Sequence, residues 1–158
     1  TTWSRGLGDV YKRQKLTTEI IKSNYVANEK ENLVVSFDQI KKNILSKSFN
    51  VIDARSLERF EGKVSEPRKG LRSGHIQNSF CLPFNQCINQ KTGEFKNLEE
   101  LRELFNQNEN IEKRLDQVFT CGSGVTAAVL AYAYKMVNND YIPKIYDGSW
   151  SEYGKYPA

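Results

Sequence analysis

An α/β domain with a mainly parallel central sheet, covered by helices on both faces, is what this sequence predicts. Three observations carry the reading. From residue 33 onward, short apolar runs of strand length alternate with helical patterns. Phe49-Asn50-Val51-Ile52-Asp53 and Val118-Phe119-Thr120 read as buried strands. Asp53 and Cys121 both fall at the carboxyl ends of such runs, where sheets of this class bind their ligands.

The elements follow in order. Leu33-Val34-Val35 is a short extended run. Ser36 then stands at an N-cap position before Phe37, Ile40, Ile44 and Leu45 at helical spacing. The strand over 49–53 is followed by a short helix over 56–60. Residues 62–74 form a long loop rich in glycine and charge, with Pro67 inside it. A brief strand within 75–81 precedes the turn at Pro83-Phe84. Asn97 caps an amphipathic helix with Leu98, Leu101, Leu104 and Phe105 on one face, and Glu99 and Glu100 suit its first turn. Residues 111–115 add another turn. A strand over 117–120 feeds Cys121, and residues 126–137, rich in alanine and apolar on most sides, form a buried helix. Lys144-Ile145-Tyr146 is the last strand, ending at Asp147-Gly148, with a short helix from Ser149. There are no internal repeats.

Length and composition narrow the class. At 158 residues the chain is one ordinary domain, and 39% apolar with 27% charged residues is the balance of a soluble globular protein. No run approaches the roughly 20 apolar residues of a membrane span, and the amino end lacks the layout of a signal peptide. Three cysteines without CxxC spacing form neither a disulfide framework nor a zinc site. A reducing compartment suits them; the cytoplasm is the expected location, with the mitochondrion as the alternative. Asp9-Val10-Tyr11-Lys12-Arg13-Gln14 resembles the in-frame translation of a transposase sequencing adaptor, so residues 1–14 are set aside. Doing so removes Arg5, Lys12, Arg13 and Asp9 and lowers the formal charge of +4 by two, too little to imply a nucleic acid or a membrane as partner.

The chemistry is concentrated in Cys121-Gly122-Ser123-Gly124-Val125-Thr126, a cysteine at a strand's end facing a glycine-rich loop that opens a helix. Loop amides and the positive end of the helix dipole stabilise a thiolate there. Gly122 and Gly124, lacking Cβ, let the loop curl until its amides approach one sulfur. Two chemistries use such a placement. Phosphatases need an arginine six positions after the cysteine, where this chain has Ala127. Sulfur transfer needs only a loop that holds a persulfide anion. A buried packing cysteine on a tight turn is the plainer alternative, and the two flanking glycines argue against it.

Cys121–Thr126 followed by Ala127 resembles the active-site loop of the 3-mercaptopyruvate sulfurtransferases, two-domain members of the rhodanese superfamily. Val51-Ile52-Asp53-Ala54-Arg55, Arg59-Phe60-Glu61-Gly62, Glu66-Pro67-Arg68, Gly74-His75-Ile76 and Tyr146-Asp147-Gly148-Ser149-Trp150 resemble further segments of that family in the same order. The resemblance implies a rhodanese fold and makes 33–158 the catalytic domain, with 15–32 as interdomain linker and the first domain missing. It implies Cys121 as nucleophile and Ser123 as a hydrogen-bond donor or proton relay. The loop residues Gly122, Gly124, Val125 and Thr126 would bind the donor, and Arg59 and Arg68 would grip its carboxylate and keto group.

Guanidinium suits that last task, since its planar fork binds carboxylate in two-pronged fashion. The neutral Gly122-Ser123 pair suits the monoanion 3-mercaptopyruvate; thiosulfate-using relatives carry cationic residues there. Sulfur would pass through a Cys121 persulfide to thioredoxin, a small thiol or cyanide, and pyruvate would leave; no metal or organic cofactor is implied. A thiosulfate-preferring enzyme and a non-catalytic persulfide carrier or partner-binding module are the alternatives. Asp53 and His75 are expected to be structural, Cys81 and Cys87 to be packing residues, and Trp150 to be a core or domain-interface aromatic. Tyr132 and Tyr134 are expected to pack on their helix.

Overall fold

Parallel pairing sets the frame. The computed structural model describes residues 23–28, 31–107 and 111–157. The adaptor-like segment and much of the expected linker lie outside them. Four strands, β1 (Phe49–Asp53), β2 (Ser79–Cys81), β3 (Asp116–Thr120) and β4 (Lys144–Ile145), form one sheet in the order β2-β1-β3-β4, every pair parallel. The register sets Asp53 beside Cys81 on one side and beside Thr120 on the other. The carboxyl ends of three strands are therefore level, and Cys121 emerges among them.

The central strands are apolar on both sides because both sides are covered. Val51 and Val118 face a layer with Val35, Ile40, Ile76, Tyr146 and Trp150, built by α1 (Phe37–Ser46) and α5 (Ser149–Tyr153). Ile52 and Phe119 face the other layer, where Leu101 and Phe105 of α3 (Leu98–Asn106) meet Ala127, Leu130 and Ala131 of α4 (Val125–Val137). A further short helix, α2 (Leu57–Phe60), follows β1. The small residues of α4 let it lie close on the sheet.

Helix starts are chemically specified. Ser36 accepts from the Gln39 amide at 3.3 Å, and Gln39 accepts from the Ser36 amide at 2.8 Å, a complete capping box. Asn97 and Glu100 make the same reciprocal pair for α3.

Some elements differ from the sequence expectation. The run over 33–35 is reduced to a single parallel bridge from Val34 to Ile145, because a 3-10 turn occupies Glu31–Leu33. Residues 111–115 do form a turn, closed by Leu115 N–H donating to Glu112 O at 3.2 Å. Leu45 is 89% exposed, and Asn43 is buried in the same helix instead. Asn43 donates to Phe49 O at 2.8 Å and accepts from Phe49 N at 3.1 Å, joining the end of α1 to the start of β1.

Candidate active site

β3 delivers Cys121, and the chain turns through Gly122–Gly124 into the first turn of α4. Gly124 takes φ +82°, and a Cβ there would lie 2.7 Å from Asp147 Oδ1 and 3.1 Å from the Asp147 carbonyl oxygen. Glycine is thus required both by the left-handed backbone and by the close approach. The turn brings the Ser123 N–H to 3.4 Å from Cys121 Sγ. The Thr126 hydroxyl and the amides of Ala127 and Thr126 face the same sulfur. Gly124's own amide turns away, to Ser149 Oγ at 3.0 Å. The donors around the sulfur therefore include Ala127, one residue beyond the predicted loop, and exclude Gly124. The Val125 side chain is exposed, so its part in the loop is to begin the helix.

These contacts decide the acidity of the thiol. Burial pushes Cys121 up, but the Thr126 hydroxyl and the amides of Ser123, Ala127 and Thr126 outweigh it, leaving the thiol below its ordinary value. Cys81 and Cys87 lack such a cradle. Burial pushes Cys81 to about 12, helped by the Asp53 carboxylate, and Cys87 to about 11. Of the three cysteines, only Cys121 is placed to ionise readily.

Two arginines close over the loop from β1's side. Arg68 Nη1 donates to the Gly122 carbonyl at 3.3 Å. A Cβ on Gly122 would lie 3.0 Å from Arg59 Nη2 and 3.7 Å from Arg68 Nη1, so glycine leaves room for both. Arg59 is not free. Its Nε and Nη2 donate to the two Glu66 oxygens at 3.2 and 2.6 Å. Buried Glu66 also accepts from Arg55 Nη1 at 2.9 Å, and Arg55 pairs with Asp53 at 2.7 Å while stacking 4.5 Å from the Trp150 ring. Two carboxylates and two guanidiniums balance along this chain. Among the described residues Arg68 makes no ion pair, so it brings the uncompensated charge to Gly122.

Asp53 accepts from the Arg55 amide at 2.9 Å, as a structural acid, and also anchors the Arg55 side chain. His75 Nδ1 lies 2.8 Å from Phe60 O, and its ring stacks on Phe60 at 4.0 Å, steadying the end of the helix that carries Arg59. Trp150 is a core residue. Tyr134 packs edge-on against Phe105 and Tyr141, whereas Tyr132 is mostly exposed against Phe95.

Nothing local in the sequence marks the roles of Arg55, Glu66 and Ser149. Each lies inside a segment of the quoted resemblance, but only burial reveals what its polar atoms hold. Among the described residues, no group of three or more His, Cys, Asp or Glu side chains is placed to hold a metal, and no helix is long and apolar enough to cross a membrane.

Comparison with known proteins agrees with this geometry. The rhodanese-like domain family matches residues 36–156. The Arabidopsis thaliana protein named thiosulfate/3-mercaptopyruvate sulfurtransferase 1, mitochondrial, is 42% identical over 126 residues, covering 80% of this chain and 32% of its own length. Human 3-mercaptopyruvate sulfurtransferase is 39% identical over 120 residues, covering 76% of this chain and 39% of its own length. The crystal structure of SseA from Escherichia coli, which describes the rhodanese fold and catalytic mechanism of 3-mercaptopyruvate sulfotransferases, superposes with a TM-score of 0.67 at 29% identity. It covers 88% of this chain and 50% of that one. The chain thus spans between a third and a half of the length of these relatives.

Proposed function

Because the chain belongs to the rhodanese-like domain family, we propose that it takes a sulfur atom from 3-mercaptopyruvate onto Cys121 and passes it to an acceptor. The observation that carries this is the meeting of an acidified Cys121 thiol, in a loop without cationic side chains, with the Arg68 guanidinium at Gly122, which has no carboxylate partner among the described residues. A donor with a single carboxylate matches that charge.

The Cys121 thiolate attacks the donor sulfur and forms an S–S bond. The donor's C–S bond breaks, its electron pair leaves with the enolate of pyruvate, and a proton completes the methyl group. The persulfide stays under the amides of Ser123, Thr126 and Ala127, which stabilise an anion without moving. Arg68, with the outer edge of Arg59, binds the carboxylate, and the Ser123 hydroxyl donates to the substrate or relays a proton. A nucleophile then takes the terminal sulfur: the thiolate of thioredoxin or of a small thiol, with sulfide released in a second exchange, or cyanide, giving thiocyanate. The cytoplasm is the proposed compartment; the name "mitochondrial" belongs to the Arabidopsis relative.

Thiosulfate is the second reading, favoured by the names of the Arabidopsis relatives, which cite both donors. Mass spectrometry after exposure to each donor separates the readings. The expected result is one sulfur gained on Cys121 with 3-mercaptopyruvate, together with released pyruvate. Sulfur gained on Cys81 or Cys87, or sulfide release retained by Cys121→Ser, would sink the mechanism. Faster loading from thiosulfate would replace the donor.

A further inference from the structure

Ser149 opens α5, is fully buried, and has φ +50°, a left-handed conformation that glycine adopts with less strain. What serine adds at this position is a hydroxyl. Its proton goes to the Tyr146 carbonyl at 2.8 Å, which turns the oxygen's lone pairs toward the cysteine loop. There it accepts from the N–H of Cys121 at 3.1 Å and the N–H of Gly124 at 3.0 Å, which fill both lone pairs; the Thr120 hydroxyl lies 3.2 Å away. The next two amides of α5 take the loop's carbonyls: Trp150 N–H donates to Cys121 O and Ser151 N–H to Gly122 O, both at 2.9 Å.

Residues 149–151 therefore bind two N–H and two C=O groups of the loop from outside. A peptide plane is rigid, so fixing these groups fixes where the neighbouring amides point. The amides left facing the sulfur are those of Ser123, Thr126 and Ala127.

We propose that Ser149 is a positioning residue whose hydroxyl, by holding the Cys121 and Gly124 amides, aims the rest of the loop at the Cys121 sulfur. The proposal rests on Cys121 being the sulfur carrier. The charged groups around it are Arg59 and Arg68 at Gly122, Asp147 against Gly124, and the Asp53–Arg55 pair beneath Trp150. None of these is altered in the variants that test it.

The test is the pH titration of the Cys121 thiolate by its ultraviolet absorbance, with the Cys121→Ser spectrum subtracted. It is carried out on the wild type, Ser149→Ala and Ser149→Gly. Both variants lose the hydroxyl, but glycine is at ease at positive φ. The expected result is a midpoint raised by about one pH unit in both. A shift in Ser149→Ala alone would assign the effect to backbone conformation and overturn the proposal, as would no shift in either. Should neither variant fold, amide exchange in the wild-type protein decides. Slow exchange of the Cys121 and Gly124 amides supports the hydroxyl's hold, and fast exchange of both overturns it. No sulfur donor is used, so failure of 3-mercaptopyruvate to load Cys121 is a separate result.

Discussion

Glu66 holds Arg59 by both oxygens, Nε to Oε1 at 3.2 Å and Nη2 to Oε2 at 2.6 Å, while its Oε1 also takes Arg55 at 2.9 Å. The carboxylate is buried and Arg59 is partly exposed, so the pair aims a solvent-facing guanidinium from a fixed base. Glu66→Gln breaks the charge balance of the buried chain. The expected loss of stability is about 3 kcal/mol, from leaving Asp53 as the one buried carboxylate against two guanidiniums, measured by urea unfolding. The Michaelis constant for 3-mercaptopyruvate should rise roughly tenfold, with a smaller fall in kcat. An unchanged Michaelis constant would show that Arg59 does not meet the donor.

Arg68 should behave differently, because it carries charge to the site without a carboxylate partner among the described residues. Arg68→Met is expected to raise the Michaelis constant by about tenfold or more at little cost to stability. Arg68→Lys should restore only part of it, since an ammonium lacks the fork. Steady-state kinetics on the three proteins checks this; full rescue by lysine would reduce Arg68 to a point charge.

The acid limb of kcat/KM should follow Cys121. Its thiol is depressed in the folded protein, so activity should rise with pH through a midpoint below that of an ordinary cysteine. The linked stability has the same sign: it is fully present above the unfolded-state value and is lost as pH falls through the folded one. Thr126→Val removes the hydroxyl that favours the thiolate and should move the limb to higher pH. A limb that stays in place would assign the depression to the amides alone.

The two loop glycines should fail in different ways. Gly124→Ala meets the Asp147 backbone at positive φ and is expected to cost roughly 2–4 kcal/mol of stability. Gly122→Ala meets only side-chain atoms, Arg59 Nη2 at 3.0 Å and Arg68 Nη1 at 3.7 Å, so the Arg59–Glu66 pair need give by only a few tenths of an ångström. It should weaken donor binding while leaving the thermal midpoint within a few degrees. Equal destabilisation of both would mean that the arginines are less mobile than their side chains allow.

Much of this was legible in the chain. Ser36 and Asn97 announce their helices because capping is a contact between residues three apart. The apolar runs at 49–53 and 118–120 announce buried strands because burial on both faces leaves no polar alternation. Leu45 misled for the same local reason: helical spacing counts apolar residues, whereas the side chain of Asn43 is drawn inward by the backbone of Phe49.

By itself the sequence determined the β–α alternation, the cysteine at a strand's end and the glycines that let the loop curl, since all of these depend on residues close in the chain. The tertiary structure decided which amides face the sulfur, why only one of three cysteines is acidified, and what holds the arginines. Those outcomes depend on Ser149, Glu66 and Arg55. Parallel pairing brings strand ends together across long stretches of chain, and a buried polar atom must find its partner wherever that pairing puts one.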